Sequence, residues 1–148
     1  MAVQTSAGSS LAIATGVPST YDSNATTGFP SLTFTQAGEV TDIGQFGKVY
    51  VTTKYTSLAQ RQTKKFKGSF DNGSMVIKMG RDSTNAGQTA LKAALTSDAS
   101  YSFRVTFQDG TKNYFTGKVM SYKQTVGSVD QITGAETTIE IDGELVEA

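Results

Sequence analysis

A few short stretches of the chain hold side chains whose types and spacing could do chemistry. Lys64-Lys65-Phe66-Lys67 could grip a nucleic-acid backbone while Phe66 stacks on a base. The cluster is short, and 13 basic residues balance 13 acidic ones, so the chain lacks the basic surplus of a nucleic-acid binder. Asp82-Ser83-Thr84-Asn85-Ala86-Gly87 has the outline of a calcium loop. It lacks an acid or amide at its third position and a closing Glu, so a helix-capping turn is the better reading. Asn72-Gly73-Ser74 is a chance match to a glycosylation sequon. Ser is abundant, yet the chain has no His, which rules out a Ser-His-Asp arrangement. The absence of His and Cys also removes the commonest general base and the usual zinc ligands. No phosphate-cradling or dinucleotide fingerprint is present, and nothing singles out two of the acids as a catalytic pair. The expectation is a non-enzymatic protein without a metal or cofactor.

The distribution of charge is more informative than its sum. Between Ile43 and Phe70 lie Lys48, Lys54, Arg61, Lys64, Lys65 and Lys67, with no acid. From Gln124 to the end lie Asp130, Glu136, Glu140, Asp142, Glu144 and Glu147, with no base. Three readings stay open: a solvated surface, pairing within one chain, or head-to-tail contact in which one copy's basic loop meets another's acidic edge. In the last case complementarity fixes orientation more than it adds affinity. Such heterologous contacts close into rings or run on as filaments.

These segments need elements to carry them. A chain of 148 residues suits one domain and can bury a core without staples. Thr, Val, Ile, Tyr and Phe favour pleated sheet. Residues 1–29 are rich in Ala, Ser, Thr and Gly, with Asp22 as the only charge, and read as an extended N-terminal arm. It is either a disordered tail or an arm that docks on a neighbouring subunit through Leu11-Ala12-Ile13-Ala14. Residues 30–148 read as a β-domain. Strands are expected at Ser31 to Thr35, Glu39 to Ile43, Lys48 to Thr56, Ser74 to Met79, Tyr101 to Gln108, and from Tyr114 onward. A weak strand is expected at Val126 to Ile132 and a last one at Thr137 to Asp142. Ser57 to Asn72 shows no period and reads as a long loop. One helix follows Asn85 or Thr84 as cap, with Ala86, Ala90, Leu91, Ala94 and Leu95 as its apolar stripe. A three-residue loop, Gln108-Asp109-Gly110, is preferred over a two-residue one because it sets Phe103 opposite Phe115.

The fold class is therefore mostly β: a β-sandwich or partial barrel of about seven strands with one flanking helix. Such a sheet leaves edges that can pair with another copy. No apolar run reaches the roughly 18 residues a membrane span needs, and Met1 to Ser10 has no signal-peptide pattern. The protein is expected to act where it is made, unless it is built into something that leaves.

Several motifs, in order, resemble the tail-tube (major tail) proteins of siphophages. They are Gly38-Glu39-Val40-Thr41, Lys67-Gly68-Ser69-Phe70-Asp71-Asn72-Gly73, Gly87-Gln88-Thr89-Ala90-Leu91, Phe107-Gln108-Asp109-Gly110-Thr111, Phe115-Thr116-Gly117-Lys118-Val119 and Thr137-Thr138-Ile139-Glu140-Ile141. The match runs roughly from Leu32 to Gly143.

The resemblance implies a sandwich or barrel akin to the tube proteins of contractile tails and type VI secretion. It implies six copies per ring, with their sheets joined into one barrel, and rings stacked into a hollow tube. By position, residues 1–29 and 57–72 would touch neighbouring rings or subunits. The contact residues expected on that basis and from the charge pattern are Leu11, Ile13, Arg61, Lys64, Lys65, Phe66, Lys67, Glu140, Asp142 and Glu144. The implied partners are further copies, a tape-measure protein in the lumen, and terminator and tail-tip proteins. Double-stranded DNA would pass without specific binding, and no membrane is involved. The implied location is the virion tail, after assembly in the host cytoplasm. DNA must slide without sticking, so the lumen should carry acids and hydroxyls with few unpaired bases. A related ring-forming tube protein of a secretion or contractile device, or a ligand-binding β-sandwich, are the alternatives.

Overall fold

A computed structural model describes residues 3–148. Ten strands and one helix follow in chain order: β1 (Ser10–Ala14), β2 (Thr35–Ala37), β3 (Val40–Asp42), β4 (Val49–Thr56), β5 (Thr63–Asp71), β6 (Ser74–Gly80), α1 (Ala86–Thr96), β7 (Tyr101–Thr106), β8 (Lys112–Thr125), β9 (Gly134–Ile141) and β10 (Val146–Glu147). The main sheet is antiparallel in the order β2-β1-β7-β8-β9-β6-β3, with β10 beside the start of β8. β4 and β5 form a separate two-stranded ribbon.

Topology forces the main sheet to curl. Flat, the ordered strands would place β2 and β3 about 29 Å apart at the usual interstrand spacing. Only Gly38 and Glu39 link them, a connection that spans roughly 10 Å. The two edges therefore meet at a corner and the sheet rolls around its core. Gly80 N–H donates to the Glu39 carbonyl at 2.8 Å, fastening that corner to β6.

Period-two alternation decides what enters the core. Met75, Ile77 and Met79 point inward from β6, with Ile139 and Ile141 from β9 and Val119 from β8. Phe103 and Phe115 stand opposite each other on β7 and β8, their rings stacked 5.5 Å apart. That is the register expected of the three-residue loop. Phe107 N–H donates to the Thr111 carbonyl, and Gly110 takes a φ of 91°, a left-handed conformation that suits glycine. Helix α1 starts where expected: the Asn85 side chain accepts from Gln88 N–H at 3.1 Å, and Leu91 and Ala94 are buried.

The first segment departs from expectation. Ser10–Ala14 is a central strand, pairing Leu11 with Val105 and Ile13 with Phe103 on one side and with β2 on the other. The segment lacks the apolar mass to build a core alone, but a strand entering a sheet needs only its own inward side chains. The expected boundary after residue 29 accordingly does not divide an arm from the body. Phe29–Ser31 is a 3-10 turn with Pro30 in its first positions, and the strand beyond it starts only at Thr35. Phe29 stacks on Tyr114 at 5.5 Å and Phe34 tilts against the same ring, so residues 21–34 cover the outer face of β7 and β8.

Two further expectations are corrected. Ser57 to Asn72 is mostly strand β5, whose period is hidden by a bulge between the Tyr50–Phe70 and Thr52–Lys67 pairs. Val126 to Ile132 is a loop beyond the end of β8, with no strand partner.

Candidate assembly surfaces

The β4–β5 ribbon is the most distinctive surface of the chain. Every residue of both strands is exposed, and neither strand pairs outside the ribbon. A two-stranded hairpin is marginal alone in water, which makes this ribbon the chain's leading candidate for a contact surface. Its register sorts the side chains onto two faces. Val49, Val51, Thr53 and Tyr55 share one face with Phe66 and Lys64. Tyr50, Thr52 and Lys54 share the other with Phe70, Lys67 and Lys65. The first face is largely apolar yet open to solvent: Val49, Val51, Tyr55 and Phe66 are each more than half exposed.

The second face is basic. Lys67 lies 5.0 Å from the Tyr50 ring centroid and Lys48 4.3 Å from that of Phe70, cation–π contacts that firm up the ribbon's root. Further out, Lys54 stands directly opposite Lys65, an arrangement that repels. Among the described residues no carboxylate lies within ion-pair distance of Arg61, Lys64, Lys65 or Lys67. Arg61 sits in the connecting turn with a φ of 58°. The structure thus brings Arg61, Lys64, Lys65, Phe66 and Lys67 together on one projecting element.

The acidic residues fare differently. Glu144 pairs with Lys48 at 3.1 Å, so part of the charge asymmetry is resolved within the chain. Asp142 is a corner fastener rather than a free contact: it accepts from Ser100 Oγ at 2.6 Å, Thr116 Oγ1 at 2.8 Å and Lys118 Nζ at 3.1 Å. Partial burial pushes its carboxyl up, but these hydrogen bonds and the Lys118 charge outweigh that and hold it below its ordinary value. Glu140 remains exposed on β9, opposite Ser74 and Lys118. Leu11 and Ile13 are corrected as contact residues: both are packed in the chain's own core and have no surface to offer a second copy.

The exposed face of β6, β9 and β8 shows a different pattern. Lys78 and Lys123 both stand opposite Glu136, and Lys118 stands opposite Glu140. Each base there stands across the strand from an acid, Lys78 and Lys123 sharing Glu136, and Lys118 forms its ion pair with Asp142 at 3.1 Å.

The remaining motifs prove structural. Asp82 accepts from the backbone and hydroxyl of Thr84, which hold its carboxyl below the usual value. Asn72 is buried at the ribbon's root, its Oδ1 without a partner among the described residues. No group of carboxylates among the described residues is placed to hold a metal ion. One exposed feature was misread from the sequence: the loop after β8, where Val126, Val129 and Ile132 are 80%, 97% and 88% exposed. Aliphatic residues set among Gly127, Ser128 and Asp130 without a period were the available signal.

A family model described as Lambda phage tail tube protein, TTP, matches residues 21–145. No curated protein matches the chain. Among solved structures, the tail tube of phage SPP1 superposes with a TM-score of 0.63 at 12% identity, over 94% of this chain and 75% of that one. The sheath/tube terminator of an extracellular contractile injection system, PVC, gives a TM-score of 0.67 at 8% identity, over 100% and 98% of the two chains. A chain of the anti-feeding prophage baseplate gives 0.72 at 7% identity, over 100% and 97%. At such identities these likenesses show the fold.

Proposed function

The chain belongs to the Lambda phage tail tube protein family, and from that premise we propose that it is the subunit from which a siphophage tail tube is built. Six copies form a ring in which their sheets join, and rings stack head to tail into a hollow conduit. The tube grows around a tape-measure protein in the host cytoplasm, between a tip complex and a terminator, and ends in the virion tail. During ejection double-stranded DNA passes through it unbound. The role is architectural and uses no catalysis.

The observation that carries this reading is the β4–β5 ribbon: two strands with both edges free, an open apolar face and unpaired lysines. A solitary protein gains nothing from such an element, whereas a second copy can cover its face and supply acids. The wall of the conduit is the exposed face of β6, β9 and β8. A base already opposite an acid there attracts phosphate weakly, which suits a channel that must not hold DNA. A second reading, a tube protein of a contractile injection device, is favoured by the fold shared with such assemblies. Secretion into the medium would favour it, and association with a tape-measure protein would favour the first.

The test is electron microscopy of the purified chain and of a variant carrying Lys64→Glu, Lys65→Glu and Lys67→Glu. Rings or hollow tubes are expected from the native chain. The variant should stay folded by circular dichroism but polymerise poorly. A native chain that remains a compact monomer at all concentrations and salt conditions, with or without tail partners, would refute the proposal.

A further inference from the structure

The β4–β5 ribbon leaves the body through two short crossings. Its own ladder begins at the Val49–Asp71 pair, and the β6–β9 ladder begins at Ser74–Glu140. Between them lie Gly47 and Lys48 on one strand, and Asn72 and Gly73 on the other. Each crossing holds a glycine in a conformation that other residues avoid, with φ of 153° at Gly47 and 81° at Gly73. The bonding of Gly73 makes it a joint. Its N–H side is tied to the ribbon, donating to Asp71 Oδ1 at 2.8 Å. Its carbonyl is tied to the body, accepting from Ile141 N–H at 2.9 Å. The torsions of Gly73 itself therefore set the angle between ribbon and body. The two glycines lie side by side: a Cβ on Gly73 would stand 3.6 Å from the Gly47 carbonyl oxygen, and one on Gly47 would meet nothing within 4 Å.

Beyond the crossings the ribbon is braced, with Tyr50 against Phe70 at 5.4 Å and Lys67 5.0 Å from the Tyr50 ring centroid. Among the described residues one ion pair ties its root to the body, Lys48 Nζ to Glu144 at 3.1 Å, with both side chains partly exposed. A pair of this kind is weak and is screened by salt. Asn72 stands on the ribbon side of the joint, buried, with its Oδ1 unpartnered among the described residues. The observed angle thus carries a cost that a swing into water removes. We infer that the ribbon is a rigid arm jointed at Gly47 and Gly73 and latched to the body by the Lys48–Glu144 pair. Joint and latch belong to the single chain; only their use, turning the arm toward a second copy, rests on the assembly proposed above.

The chain has no Cys, so spin labels can be placed at will and distances read by pulsed electron resonance on the unassembled protein. One pair, Tyr55→Cys with Met120→Cys, spans ribbon and body at exposed positions. A second, Val49→Cys with Tyr55→Cys, lies within β4 and spans roughly 20 Å. Adding Glu144→Gln, or raising salt to about 1 M, should broaden the first distribution at least about twofold and leave the second narrow. Gly47→Ala or Gly73→Ala should move the mean of the first by about 5 Å, the travel of a 20 Å arm turned by about 15°. A first distribution unmoved by all of these would overturn the joint and latch. Broadening of the second would show an arm that melts rather than turns, and would overturn the inference as well. Either result leaves the tube reading to the microscopy described above.

Discussion

Gly87→Ala sets two effects of opposite sign against each other. Replacing glycine by alanine in a helix favours folding by up to about 1 kcal/mol. Here the added methyl would lie 2.2 Å from the Gln36 carbonyl oxygen and 2.5 Å from the Ala37 Cα, both backbone atoms of β2. Ordinary contact distance is near 3.5 Å, so helix and strand would have to part by roughly 1 Å. The next residue cannot follow that movement unharmed. Gln88 is 1% exposed, and its Nε2 donates to the Gly38 carbonyl at 3.0 Å and the Gly80 carbonyl at 2.9 Å, while its Oε1 accepts from Asp82 N–H at 3.0 Å. Overpacking costs about 1–3 kcal/mol, and buried polar groups left unmatched add about 1–3 kcal/mol. The net loss is near 3 kcal/mol, or about 6–12 °C in Tm for a domain of this size. Thermal and urea unfolding followed by circular dichroism measure it. Ala93→Gly, at an exposed position of the same helix, calibrates the propensity term. A Gly87→Ala protein as stable as the native one, or more so, would refute the close-approach argument.

Leu11→Ala should destabilise the monomer by about 2–5 kcal/mol in urea titrations, because it empties a core site. An unchanged midpoint with lost assembly would return Leu11 to the subunit interface. Asp142→Asn should lower stability at neutral pH by about 1 kcal/mol through weakened hydrogen bonds. Asp142 has its folded-state pKa below the unfolded one, so its contribution is whole above about pH 4 and fades as the pH falls through the folded-state value. The native and variant curves should therefore converge in acid, and a difference that persists undiminished at pH 3 would contradict this.

Much of the architecture was legible because it is written in local period. Met75, Ile77 and Met79 announced β6, Asn85 and the Leu91 stripe announced α1, and the Asp109-Gly110 turn set the Phe103–Phe115 register. What failed did so where the signal is not local. A bulge broke the alternation of β5, so a strand read as a loop. The candidate surface was half legible: the basic run named the right residues on the ribbon, while the apolar face of Val49, Val51, Tyr55 and Phe66 needed the cross-strand register to be seen.

By itself the sequence determined that this chain is β-rich, carries no His-based or thiol chemistry, and divides its charge between two segments, since composition and order are properties of the chain alone. Only the tertiary structure decided that Leu11 and Ile13 face inward, that Asp142 and Glu144 are engaged at home, and that the ribbon's lysines have no carboxylate beside them among the described residues. Burial and pairing depend on which distant strand lies alongside. That neighbour is chosen by the closure of the whole sheet, which no single stretch of sequence contains.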